Sequence, residues 1–292
     1  MTTVSSTAPA HQGWGRRLLR FSLIKIILAV VLAAASAGVT FSIASAIADK
    51  DARIMWPEII SAIGVLLTYA SYVRYVEKRP VAELSRAGAI PEFALGLLIG
   101  AAMVAVEIGI LYALGFYELS GTNAWTMKIG QPLAVMLFVG VLEEVIGRGI
   151  VFRITEESLG SWPAILISAM LFGLLHLPNE GAGLLSISIT VVAGAFFAAA
   201  YMLTRRLWLC IGIHAAWNYT LGTIFSIAVS GNESNGLLVG KMTGPGWITG
   251  GSYGLEASVL TLLALVLVGG WFLRLAWAKG HFVAARRRRA PR

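Results

Sequence analysis

A series of apolar segments, each about 20 residues long, is the feature that most constrains this chain. A helix of that length crosses the hydrocarbon core of a bilayer, which is about 30 Å thick. Of the 292 residues, 57% are hydrophobic and only 13% are charged, whereas about 25% of the residues of an average soluble domain are charged. The mean hydropathy is +0.77. The chain is therefore expected to fold as one all-α membrane domain, a helical bundle of about eight transmembrane helices.

The predicted spans follow from the apolar segments and divide the chain into four parts. The spans are 21–48, 55–76, 92–117, 129–150, 162–177, 183–204, 207–229 and 255–278. The first is longer than the apolar part of a secretory signal peptide and is expected to be retained. The four parts are a cytoplasmic N-terminal segment (1–20), N-terminal transmembrane helices (21–128), a membrane core (129–229), and an extracytoplasmic loop with the last helix and a basic cytoplasmic tail (230–292).

The basic residues indicate an orientation in the membrane. Although the net charge is +8, these residues flank the apolar segments, which is the positive-inside pattern and not that of a nucleic-acid-binding surface. If all eight predicted spans cross the membrane, every basic cluster falls on the same side of it, so both termini are expected in the cytoplasm. Membrane lipids are the expected partners of the terminal arginines. The clusters are Arg16, Arg17 and Arg20; Arg74, Lys78, Arg79 and Arg86; Arg148 and Arg153; Arg205 and Arg206; and Lys279 with Arg286–Arg289.

The fourth span contains charged residues within the apolar sequence FVGVLEEVIGRGIVFR, residues 138–153. An ionisable group inside a membrane helix costs at least about 2.5 kcal/mol, so each one suggests a function. Glu144 and Arg148 are four residues apart and can form an ion pair on one helix face. Glu143 points about 100° away from that face. Gly140 and Gly147, one turn on either side of Glu143, leave room for water or a peptide backbone, or for close packing of another helix.

Other polar residues lie in three further spans. The segment LFGLLHLP places Phe172 one turn before His176, and GIHAAWNY places His214 one turn before Asn218. These two histidines could form hydrogen bonds between helices, or they could serve as bases or ligands. Glu107, deep in the third span, could be protonated, bonded to another helix, or part of a cavity.

The order EExxxR, FxxxH and HxxxN on three membrane helices resembles the CPBP family. These intramembrane proteases are named for CAAX and bacteriocin processing, are also called the Abi family, and include the type II CAAX prenyl endopeptidases. The resemblance covers roughly residues 130–222, and the motifs match at Glu143, Glu144, Arg148, Phe172, His176, His214 and Asn218. One departure is Gly147, where the family commonly has a bulky residue.

The resemblance implies a role for each matching residue. Glu143 is implied as the general base that activates water, and His176 as a residue that holds this water or a metal. His214 and Asn218 are implied to bind the developing oxyanion, which agrees with the need of amide hydrolysis for a base and for hydrogen-bond donors. A supporting, structural role is implied for Glu144, Arg148 and Phe172.

The metal requirement stays open in the sequence. Glu143, His176 and His214 could supply three ligands of a catalytic Zn²⁺ with water as the fourth. However, the chain has no HExxH motif, and a metal-free glutamate mechanism is also argued for the family. The relative depth of two of these residues is a second question. If the fifth span begins near Trp162, His176 lies about 21 Å along it, deeper than Glu143 in a fourth span that ends at residue 150.

The function expected from these features is that of an intramembrane endopeptidase. It would hydrolyse a peptide bond of a membrane-associated protein or peptide, in CAAX-type processing or in peptide maturation. The first alternative is a non-catalytic membrane scaffold or immunity protein with the same fold. A proton-coupled transporter that uses Glu107 and Glu143 is a third hypothesis, although no internal repeat supports it.

Overall fold

The computed structural model describes residues 21–47, 55–124 and 127–285. The helices are α1 (Ser22–Ile47), α2 (Trp56–Ser71), α3 (Ala89–Ala113), α4 (Met127–Glu144), α5 (Arg153–Leu159), α6 (Ser161–Leu175), α7 (Leu184–Thr204), α8 (Trp208–Asn218), α9 (Gly246–Thr249) and α10 (Val259–Ala278). π-Helical segments extend α2 (Tyr72–Val76), α4 (Val145–Phe152) and α8 (Tyr219–Ile224), and short 3₁₀ turns occupy Ala82–Leu84, Gly251–Tyr253 and Leu255–Ala257. The predicted all-α membrane bundle is confirmed.

Five helices in the described part of the chain are long and apolar enough to cross a membrane. They are α1 over Ser22–Ala44, α2 with its π extension, α3, α7 and α10; the apolar helix α6 is shorter. Helices α4 and α8, at the predicted fourth and seventh spans, are continued by π-helical segments. Large apolar side chains on the outer faces are exposed, for example those of Leu67, Leu98 and Leu267. This exposure suits contact with lipid, and the protein is a multi-pass membrane protein.

The helix at the predicted fourth span continues beyond residue 150, where the prediction ended it. Helix α4, its π-helical segment and α5 form one continuous run over residues 127–159. The π turn is stabilised at its Gly149 carbonyl, which accepts hydrogen bonds from the Tyr69 hydroxyl (3.1 Å) and from Arg153 Nε (2.8 Å). A π segment inside a membrane helix often marks a functional site. This one directly follows Glu143 and Glu144.

The charged segments that connect the helices contact each other at one end of the bundle, which we call the basic end. Arg153 pairs with Glu77 at 2.9 Å, and Glu156 pairs with Arg205. Arg205 also donates to the carbonyl of His281, just after α10. The basic clusters in the described residues therefore meet at this end, except for Arg148, which lies inside the bundle. The clusters Arg16, Arg17 and Arg20 and Arg286–Arg289 lie outside the described residues.

The opposite end, which we call the sheet end, contains strands that the sequence did not predict. Strand β1 (Tyr117–Thr122) pairs antiparallel with β2 (Leu238–Met242). The predicted third span included Tyr117, but α3 ends at Ala113 and Tyr117 begins the strand instead. Its buried ring packs edge-on against Phe225, with ring centroids 6.2 Å apart. The sheet thus ties the connection after α3 to the loop that follows α8.

Two interactions fix α8 and α10, which border the site described below. Helix α8 packs closely against α3 because both carry glycine at the crossing; a Cβ at Gly96 or Gly212 would collide with the backbone of the other helix. Glu107 of α3 accepts a hydrogen bond from the hydroxyl of Thr261 on α10 at 2.5 Å. The sequence left open whether Glu107 is protonated, bonded to another helix or part of a cavity, and the structure shows this hydrogen bond to another helix.

Candidate active site

The two adjacent glutamates of α4 have different surroundings. Glu144 is completely buried, and its Oε1 lies 2.8 Å from both Arg148 Nη1 and His214 Nδ1. Because a carboxylate only accepts hydrogen bonds, His214 donates from Nδ1, and its Nε2 faces the other way. Arg148 also donates to the Gly194 carbonyl at 3.1 Å. Glu144 therefore connects α4 to α8 and sets the orientation of the imidazole ring.

Glu143 faces a cavity. Its side chain is 32% exposed, and its Oε2 lies 3.8 Å from His214 Nε2. This distance is too long for a hydrogen bond. Among the described residues Oε2 has no hydrogen-bond partner, although it is shielded from bulk solvent. The exposed part of the Glu143 side chain lines the cavity together with His214, so a water or a substrate in the cavity can contact both residues.

Aromatic rings hold the charged network in place. The Arg148 guanidinium lies 4.7 Å from the ring centroid of Phe172 and 4.8 Å from that of Phe197. The Phe197 ring also stacks on His214, with centroids 4.8 Å apart and an interplanar angle of 24°. Contacts of a guanidinium with aromatic faces stabilise the charge away from water. Phe172 therefore packs against the buried guanidinium, and the supporting role implied for it stays a prediction.

His176 lies just after the last residue of α6 and is half-buried. Its Nδ1 is 2.8 Å from the Phe172 carbonyl, one turn earlier. A carbonyl accepts hydrogen bonds, so Nδ1 donates and Nε2 stays available. The two site histidines therefore share one arrangement, with Nδ1 engaged by an acceptor in the protein and Nε2 left for another partner.

One cavity of about 570 Å³ brings the predicted catalytic residues together. Its lining includes Glu143 from α4, His176 at the end of α6, and His214 and Asn218 from α8. Glu144 and Arg148 lie behind the wall, since they are buried and are not part of the lining. The three motifs therefore converge in space, while the chemical roles of these residues stay predictions.

The depth of Glu143 and His176 is explained by the length of the fourth helical run. Glu143 lies 16 residues before the end of this run at Leu159, and His176 lies 15 residues after the start of α6 at Ser161. At about 1.5 Å per residue, both are some 22–24 Å from the basic end. The relative depth, which the sequence left open, is therefore similar for the two residues, because the fourth helical run continues beyond residue 150 to Leu159.

The proposed zinc ligands do not form a metal site in this arrangement. Among the described residues, no group of three or more His, Cys, Asp and Glu side chains is placed to hold a metal ion. Of the candidates Glu143, His176 and His214, the two histidines bond Nδ1 to an acceptor within the protein, so Nε2 is the nitrogen that each would offer to a ligand.

Sequence reasoning missed Glu256, which lines the sheet end of the cavity. Its carboxylate accepts hydrogen bonds from Trp217 Nε1 (2.9 Å), Ser230 N (2.5 Å) and Ser230 Oγ (2.8 Å). Trp217 precedes Asn218 on α8, so Glu256 joins this helix to the loop beyond it. The feature of the sequence that could have indicated it is the position of this acidic residue at the start of the last apolar segment, 255–278.

Comparisons with known proteins agree with this geometry. Residues 125–220 match the family of type II CAAX prenyl endopeptidase Rce1-like proteins. A protein of Bacillus subtilis (strain 168), named "Putative membrane peptidase YdiL", is 27% identical over 179 residues, which are 57% of this chain and 70% of that protein. Both findings support a membrane peptidase. The resemblance expected from the three motifs is confirmed: over residues 125–220, which include every predicted site residue, this chain is similar to the Rce1-like type II CAAX prenyl endopeptidases.

Proposed function

We propose that this protein is an intramembrane endopeptidase that hydrolyses a peptide bond of a membrane-associated protein or peptide. CAAX-type processing and peptide maturation both belong to this class, and we place both termini in the cytoplasm. The observation that supports the proposal is the convergence of Glu143, His176, His214 and Asn218 on one cavity inside a membrane bundle.

Glu143 acts as the general base in this proposal. Its side chain is 32% exposed and lines the cavity, so the carboxylate is within reach of water and can accept a proton from it. His176 contributes Nε2, which holds the water next to the carboxylate. The water oxygen attacks the carbonyl carbon as Glu143 takes its proton. Glu143 then returns this proton to the leaving amine when the tetrahedral intermediate collapses.

His214 and Asn218 stabilise the oxyanion in this proposal. They are one turn apart on α8, and both line the cavity. When His214 is an imidazolium, Nδ1–H stays on Glu144 and Nε2–H is directed into the cavity. The Asn218 amide supplies the second donor. Donors fixed in advance lower the barrier because they need no rearrangement when the charge develops.

The test is cleavage by purified protein in which Glu143 is replaced by Gln. The substrate probe is a proteome-derived peptide library, with new termini identified by mass spectrometry. Loss of the general base is expected to lower the cleavage rate by about 10²-fold or more. The control is Glu118→Gln, an exposed carboxylate on β1 away from the cavity. Cleavage by Glu143→Gln at the wild-type rate contradicts the role of Glu143 as general base, whereas absence of cleavage by the wild-type protein favours the non-catalytic scaffold, for which the buried network serves folding alone.

A further inference from the structure

The two glycines on either side of Glu143 have different surroundings. A Cβ added at Gly140 would lie 3.3 Å from the amide nitrogen of Ala215 and 3.4 Å from the carbonyl oxygen of Ile211, both on α8. Gly140 thus allows two helices to pack closely. A Cβ at Gly147 would meet no atom within 4 Å beyond its own helix backbone and chain neighbours, and Gly147 lines the cavity. Gly147 therefore leaves open space inside the site.

The space beside Gly147 is apolar. The neighbouring cavity wall includes Val151 from the same helical run, with Ser168 and Leu171 from α6. Val151 and Ser168 are buried, and the Ser168 hydroxyl is already bonded to the Ile165 carbonyl at 3.2 Å. None of these three side chains therefore offers an unbonded polar group to the cavity. The wall at the sheet end is different, because it contains the polar residues Ser230, Asn232, Glu233, Ser234 and Glu256.

We propose that Gly147 opens an apolar subsite for the side chain next to the scissile bond, and that the substrate carries a bulky apolar residue there. The inference rests on the proposed peptidase function. Gly147 lies four residues after Glu143 on the same helical run, a separation of about 5–6 Å on a helix surface. An extended peptide advances about 3.3 Å per residue. In this proposal the peptide runs along the helical run, so the side chain that flanks a carbonyl placed at Glu143 comes level with Gly147.

The same peptide library tests this subsite by its cleavage sites. Wild-type protein is expected to select Leu, Met or Phe at one position that flanks the cleaved bond. Gly147→Phe fills the space, so the preference for bulky over small residues should fall at least about tenfold. Gly147→Ala is the milder variant and should shift the preference in the same direction. The control is Gly270→Phe, at an exposed glycine of α10 with open space around it, which should leave the preference unchanged.

A labelling experiment tests the open space without catalysis. Gly147→Cys should react with N-ethylmaleimide in the folded protein, whereas wild type should not, because its single cysteine, Cys210, is completely buried. Absence of labelling, or an unchanged cleavage preference in Gly147→Phe, would overturn the subsite. The proposed function fails separately: absence of cleavage by the wild-type protein contradicts the peptidase, and undiminished cleavage by Glu143→Gln contradicts Glu143 as its base. The labelling of Gly147→Cys measures the open space in either case.

Discussion

Replacing Arg148 with Met tests whether the buried ion pair supports the site. The guanidinium is 1% exposed, donates to Glu144 and to the Gly194 carbonyl, and lies between two phenylalanine rings. Its removal leaves the Glu144 carboxylate in the interior with, among the described residues, the hydrogen bond from His214 Nδ1 alone. Breaking a buried pair in this way costs about 3–5 kcal/mol. The free energy of unfolding of Arg148→Met should therefore fall by about that amount.

The assay is reversible unfolding of the purified protein in detergent micelles, followed by intrinsic fluorescence. Arg86→Met is the matched control, since Arg86 is exposed in the connection before α3, and its loss should change stability by less than about 0.5 kcal/mol. Arg148→Lys should also be destabilised, because an ammonium group lacks the planar fork and aromatic stacking of the guanidinium. The double variant Glu144→Gln/Arg148→Met should recover part of the loss. Wild-type stability in Arg148→Met would refute this reasoning.

Two further predictions concern the hydrogen bonds that border the cavity. Thr261→Val removes the hydroxyl bonded to Glu107 and leaves that carboxyl buried, so stability should fall by about 1–3 kcal/mol in the same unfolding assay. Stability equal to wild type would show that this bond contributes nothing. Glu256→Leu removes the acceptor of the Ser230 amide, whose hydrogen exchange should become about tenfold faster or more. Exchange at the wild-type rate would show that Glu256 does not hold the loop, and Glu118→Leu is the control for loss of a carboxylate.

The bundle and the convergence of the motifs could be predicted from the sequence because both depend on local patterns. Apolar length identifies membrane helices, and spacing of three or four residues identifies the face that each polar side chain shares. Glu144 and Arg148 pair as the i, i+4 rule expects. The residues of the three motifs were expected in one site, and five of them line one cavity: Glu143, Phe172, His176, His214 and Asn218.

The features that were missed depend on contacts between distant segments. Strands β1 and β2 are separated by more than a hundred residues, and neither has a strong alternation of apolar and polar residues that would predict a strand. The π turn that continues α4 toward Leu159 accepts a hydrogen bond at its Gly149 carbonyl from Tyr69 of α2, across the bundle. Similarly, the different surroundings of Gly140 and Gly147 become visible only when α8 is in place, because the two positions are alike in sequence.

The most direct test of the central claim is comparative membrane proteomics of cells that contain wild-type protein or Glu143→Gln at equal abundance. The account predicts that at least one membrane-associated protein or peptide has a new terminus in wild-type cells, and that this terminus is absent with Glu143→Gln and present with Glu118→Gln. An identical set of termini in all three strains would contradict catalysis by Glu143.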